Sequence, residues 1–264
     1  MYKLKIIATG ILFGCFLTVY FAHRVQAQSK GVKNIVLVHG AFADGSSWSK
    51  IIPLLESKGL KVIAVQNPLS SLKNDVDATK RAIALMDGPV LLVGHSWAGV
   101  VISEAGNDPK VAGLMYIAAF APDDNQSLSD VAKTLPAGPG NDEVRPDASG
   151  FLSLTPKGIH EDFAQDLPEP ERKVILATQG TWSAAAPGEK ISKAAWKTKP
   201  SWYIVAQKDR MINPDLQRKM AENIKATTIE LNSSHIPMVS QPAKVASFII
   251  EAASNVSRRQ LVAN

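Results

Sequence analysis

The reading of this chain turns on Val90-Leu91-Leu92-Val93-Gly94-His95-Ser96-Trp97-Ala98-Gly99-Val100-Val101-Ile102. Four apolar residues follow Gly88-Pro89 and stop at Gly94, which predicts a short, fully buried strand. Small and apolar residues after Gly99 predict a helix ending near Gly106-Asn107. Ser96 stands at the sharp turn between them. Such a turn strains the backbone of its central residue, and strand and helix approach closely only if the residues two positions away are small, as Gly94 and Ala98 are. A serine placed there is presented as a nucleophile. The pattern G-x-S-x-G/A is short, so its weight comes from the strand before it and the helix after it. A phosphate-binding turn would need Lys-Ser/Thr after Gly99 or the run G-x-G-x-x-G, and neither occurs.

The same alternation runs outward in both directions. Residues 34–38, 61–65, 111–119, 201–205 and 227–231 read as further strands, with helical spacing over 48–55, 75–86, 214–224 and 242–253. In 75–86 Val76, Ile83 and Met86 fall among charges, which predicts a surface helix. Asn213-Pro214 supplies an N-cap followed by proline at the first helical position. The expected class is α/β, a mostly parallel sheet with helices on both faces. From 122 to 199 the rhythm breaks into a stretch rich in Pro, Gly, Ala and Asp with no convincing strand, read as an inserted, mainly helical cap. Residues 28–121 and 200–264 form the core domain, with a frayed tail from 254.

A chain of 264 residues, 45% hydrophobic, can bury the core of one such domain with an insertion. Residues 1–27 are expected to lie outside it. Lys3 and Lys5 precede an uncharged apolar run over 6–22, and Val25-Gln26-Ala27 offers a small residue for cleavage, so the segment reads as a signal peptide and the mature protein as periplasmic or secreted. An uncleaved membrane anchor is the alternative, because the run is long for a signal and His23-Arg24 lies close to the cut. The formal charge of +5 owes three of its 29 basic residues to Lys3, Lys5 and Arg24, while none of the 24 acidic ones lies in that segment. The remainder is nearly neutral, without the stripe of Lys/Arg and aromatics that nucleic acid requires. Cys15 is the single cysteine, which removes disulfides, thiolate nucleophiles and cysteine-based metal sites from the mature chain. No H-E-x-x-H or other clustered ligand set suggests a metal. The oligomeric state is left open.

A serine hydroxyl needs a base to take its proton and a carboxylate to orient that base. Of five histidines, His23 lies in the leader, His95 adjoins the serine and should point away from it, His39 ends the first strand, and His160 lies in the cap. His235 follows the last strand, where this topology places its base. Asp209 follows the strand over 201–205 and gives the order Ser, Asp, His. Asp123 and Asp124, after the preceding strand, are rivals for the acid. The backbone amides of Trp97 and of Ala41, in the loop His39-Gly40-Ala41-Phe42, are the expected donors to a developing oxyanion.

With the elbow, Val36-Leu37-Val38-His39-Gly40-Ala41-Phe42, Tyr116 to Asp123, Pro200 to Tyr203 and Lys208 to Pro214, the chain resembles the small cap-bearing α/β hydrolases over residues 33–253. That group includes plant methylesterases, hydroxynitrile lyases and bacterial salicylate-esterase-like enzymes. The resemblance implies the α/β-hydrolase fold, no cofactor, and a small ester as substrate. Lyases of the group are similar to one another in having threonine after the first-strand histidine and lysine after the catalytic histidine. Gly40 and Ile236 stand there in this chain, which favours ester hydrolysis over lyase activity. Phe42, Phe120, Met211 and Met238 are expected to line the pocket near the catalytic loops, with Phe151, Phe163 and Trp182 descending from the cap. His160-Glu161-Asp162 reads as a solvated face. A protein that binds a small apolar ligand on the same fold without catalysis is the reading from another class.

Overall fold

All five residues of strand β1 (Asn34–Val38) are buried, as expected of a strand covered on both faces. In this computed structural model, which describes residues 31–260, β1 leads through helix α1 (Ile52–Glu56) to β2 (Lys61–Ala64), then through α2 (Leu72–Leu85) to β3 (Val90–His95). Helix α3 (Ala98–Ala105) follows the elbow and returns the chain to β4 (Val111–Ile117). The signal or anchor expected over residues 1–27 lies outside the described residues. No helix among them is long and apolar enough to cross a membrane.

Residues 118–200 carry the departure from strand–helix alternation. Helix α4 (Leu128–Ala132) opens with a reciprocal cap between Ser127 and Asp130. Then come β5 (Val144–Pro146), β6 (Phe151–Leu154), α5 (Pro156–Gly158) running into a π-helical turn at Ile159–Phe163, α6 (Glu169–Thr178) and β7 (Trp182–Ser183). The three strands form an antiparallel sheet in the order β5-β6-β7, which the sequence reading did not anticipate. Strands of two to four residues are too short to show alternation, and β5 ends on a proline. Helix α6 contains no buried residue.

Strand β8 (Ser201–Ala206) restores the main sheet, followed by α7 (Pro214–Asn223), β9 (Thr227–Leu231), the single turn α8 (Pro237–Ser240) and α9 (Pro242–Gln260). The sheet has six strands, all parallel, in the order β2-β1-β3-β4-β8-β9. Helices α2 and α3 pack on each other, as do α1 and α9, and α3 and α9 both cover the central strands. Helix α2 lies at the surface as expected, with Lys73, Asn74, Lys80 and Arg81 exposed, but its inner face also carries two polar residues, Asp75 and Thr79, that are wholly buried. At the other end of the sheet, the Val32 amide donates to the Ala253 carbonyl (2.9 Å) and fixes the chain's entry beside α9.

Candidate active site

Strand β3 delivers Ser96 at its carboxyl end, with φ of 56°. A non-glycine residue holds that conformation only where its surroundings enforce it. Here the Ser96 amide donates to the Ile117 carbonyl (3.2 Å), and the Ser96 carbonyl accepts from the Phe120 amide (3.2 Å). A Cβ on Gly94 would lie 2.8 Å from the Ala98 carbonyl oxygen, so the approach of strand and helix does demand a small residue there. Trp97 is the N-cap of α3, and neither its amide nor that of Ala41 is engaged by another group among the described residues. Both are free to donate to an anion beside Ser96.

His235 lies in the loop after β9, only 2% exposed. Its Nε2 is 2.9 Å from Ser96 Oγ and its Nδ1 is 2.7 Å from Asp209 Oδ2. An acceptor-only carboxylate at Nδ1 assigns the proton to that nitrogen, leaving Nε2 to receive the serine proton. Asp209, in the loop after β8, accepts from the amides of Met211 (2.7 Å) and Ile212 (2.9 Å) through Oδ1 and from Gln217 Nε2 (2.7 Å) through Oδ2. Gln217, on α7, also donates to the Ile212 carbonyl (2.9 Å) and accepts from the Ala206 amide (2.9 Å). The sequence reading missed it. Its signal was the run Leu216, Gln217, Met220, Ala221, which puts it on the inward face of the helix.

The other candidates take different places. Asp123 and Asp124, the rivals of Asp209, form ion pairs with Lys197, and Asp124 accepts from the Ala194 amide (2.7 Å), so they fasten the end of the cap. His95 Nε2 lies 2.8 Å from the His235 carbonyl oxygen and anchors the backbone of the base. Burial, joined by the neighbouring His235, holds its pKa well below the ordinary value, so it stays neutral and donates. His39, lowered by burial as well, bridges the Gly40 carbonyl and the Asn67 amide and fixes the turn carrying Ala41. Asp162 is not on a solvated face. It is buried and pairs with Arg210 Nε at 2.6 Å, tying the cap to the loop that holds Asp209.

A cavity of about 120 Å³, partly open to solvent, reaches Ser96 and His235. Ala41, Phe42, Trp97, Phe120, Trp182 and Met211 line it, and the cap supplies Phe163, whose ring lies 5.2 Å from that of His235. Two expected members are elsewhere. Phe151 is half-buried in β6 and absent from the wall. Met238 is also absent from the wall and wholly buried in the core: Ile236 and Val239, three residues apart on one turn, face a neighbouring cleft, and Met238 points inward. No group of three or more His, Cys, Asp or Glu among the described residues could hold a metal ion.

With that geometry in place, comparison with known proteins is decisive for the family. The model of the alpha/beta hydrolase family matches residues 35–248. This chain belongs to that family. It is 30% identical to salicylic acid-binding protein 2 of Nicotiana tabacum over 84% of this chain and 97% of that protein. It is 27% identical to an alpha-hydroxynitrile lyase of Arabidopsis thaliana, covering 80% and 93%. Among solved structures it is similar to the pyrethroid hydrolase PytH, with a TM-score of 0.74 and 23% identity, covering 86% of this chain and 99% of the other. At that identity the likeness concerns the fold. This alpha/beta hydrolase falls in the small cap-bearing subgroup, and its similar proteins include esterases as well as the lyase.

Proposed function

We propose that this hydrolase cleaves a small carboxylic ester through an acyl-enzyme formed on Ser96. The observation that carries the proposal is the continuous hydrogen-bonded path from Ser96 Oγ through His235 to Asp209. His235 Nε2 takes the hydroxyl proton as Oγ bonds to the ester carbonyl carbon. The carbonyl oxygen, now negative, is held by the amides of Ala41 and Trp97, each such donor being worth roughly 3 kcal/mol in the transition state. As the carbon–oxygen bond to the alcohol breaks, His235 returns that proton to the leaving oxygen. Water then attacks the acyl carbon and gives a proton to His235, which passes it to Ser96 as the acid departs.

Aromatic and apolar walls over the catalytic pair suit an acyl or alcohol group of the same character. Position 236 supports hydrolysis over lyase chemistry, since the residue after the base is a buried isoleucine with no charge for a departing anion. The decisive test is Ser96→Ala assayed on a panel of acyl and aryl esters, with a fluorophosphonate probe on the wild type. Loss of turnover with an unchanged melting temperature supports the proposal. Undiminished turnover in the variant overturns it, and a folded wild type that resists the probe points to a non-catalytic ligand binder. Export belongs to the same proposal: a mature N-terminus at Gln28 supports cleavage, and one at Met1 supports the anchor.

A further inference from the structure

Two buried carboxylates stand outside the proposed reaction. Asp162 has Arg210 as its partner, whereas no ion pair reaches Asp75 among the described residues. Its contacts are two neutral donors. Oδ2 accepts from the indole Nε1 of Trp97 at 2.8 Å, and Oδ1 accepts from the Leu69 amide at 2.8 Å. Both donors belong to groups that seat the cap. Leu69 has φ of 56°, and its carbonyl accepts from the amide of Ser183 in β7 (2.8 Å). The Trp97 ring lies 5.1 Å from that of Trp182, also in β7, which meets Phe42 edge-on at 6.0 Å. Trp97, Trp182 and Phe42 are all walls of the cavity. One carboxylate thus fixes both the backbone and the ring against which β7 rests. A third tie, from Glu189 to the Leu72 amide (2.7 Å), fastens the cap at the same end of α2.

The inference rests on the ester-hydrolase reading and deepens it. After the first step the acyl carbon is bonded to Ser96 and its oxygen faces the Trp97 amide, while the alcohol leaves toward His235. The rings of Trp97 and Trp182 line the cavity that contains Ser96, and on this reading their wall borders the acyl group. We propose that Asp75 is a positioning residue that sets this wall and so determines how large an apolar acyl group the site accepts. Asp75→Asn would turn an amide N–H toward one of the two donors.

The test uses 4-nitrophenyl acetate and 4-nitrophenyl benzoate, which share a leaving group and differ in the acyl part. In Asp75→Asn the KM for the benzoate should rise about tenfold while kcat for the acetate stays within about twofold, the signature of lost binding without lost chemistry. Asp75→Glu, which keeps both acceptors, should recover part of the difference. An unchanged benzoate-to-acetate ratio of kcat/KM, or an equal fall for both esters, overturns the proposal. If the variants do not fold, the wild type decides: its Trp97 indole N–H resonance, assigned by its loss in Trp97→Phe, should move on saturation with benzoate, and a stationary signal overturns the proposal. A wild type that the fluorophosphonate does not label sinks the hydrolase reading, and the benzoate titration then still shows whether an aryl carboxylate reaches the wall that Asp75 holds.

Discussion

Gly40 lies directly against Ser96: a Cβ built on Gly40 would come 2.8 Å from the Ser96 Cβ and 2.9 Å from the His95 carbonyl oxygen. Neither neighbour is the free end of a flexible side chain, so any side chain at position 40 must displace the nucleophile or the loop that carries Ala41. Gly40→Ala should lower kcat by about 100-fold, the scale of losing one oxyanion donor. Its melting temperature should fall by only a few degrees. Turnover within twofold of wild type would mean that the loop shifts without cost.

Asp209→Asn retains the size of the side chain and, through its oxygen, the acceptor for Met211 and Ile212, but it presents an N–H to His235 Nδ1 or loses that contact. The imidazole then favours the wrong tautomer, and kcat should fall by roughly 10⁴-fold, with KM little changed. Steady-state kinetics on any accepted ester checks this. A loss below tenfold would place the orienting acid elsewhere.

Gln217 joins two backbone segments to the acid, since it touches Asp209, the Ile212 carbonyl and the Ala206 amide. Gln217→Leu leaves the Ala206 amide buried without a partner and frees Asp209 of one donor. Unfolding in urea should show a loss of about 2 kcal/mol. The accompanying fall in kcat should be smaller than that of Asp209→Asn, because His235 keeps its carboxylate. Unaltered stability would show that water substitutes fully for the amide.

Burial raises the Asp75 pKa from 3.8 to about 6; the bonds from Trp97 and Leu69 oppose the shift and the nearby Glu189 adds to it. The folded protein therefore keeps a proton between about pH 4 and 6 that the unfolded chain has released. Stability from this group is complete below that window and declines as pH rises through it, by about 3 kcal/mol in total. Melting temperatures from pH 4 to 7 should show the decline in the wild type and a flatter profile in Asp75→Asn. Parallel profiles would refute it.

The elbow and the chain order of Ser96, Asp209 and His235 could be read in the sequence because each belongs to a short local pattern: a buried strand, a turn with one special residue, and a loop after a strand. Asp75 and Gln217 could not be assigned in that way. Each is a polar residue on an otherwise amphipathic helix, and only the partner across the interface, an indole for one and a carboxylate for the other, explains its burial. The spacing was nevertheless present, since Asp75 shares the inward face of α2 with Leu72 and Thr79. The antiparallel sheet of the cap stayed hidden because its strands are too short for any periodicity to show, and one of its two pairings joins residues far apart in sequence, such as Leu152 and Trp182. Met238 was misplaced for a related reason, because the direction a residue faces in a single helical turn depends on what that turn packs against.

The bond between Val32 and Ala253 places the start of the described chain at the foot of β1, one strand length of about 15 Å from Gly40 at its head. Helix α9 passes the same point at Ala253, so these two stretches of the described chain meet at the end of the sheet opposite the catalytic loops. A handle attached through a surface residue beside them, whether a bead or a surface, would hold the molecule with its opening outward, and substrate would reach the immobilised protein as it does the free one.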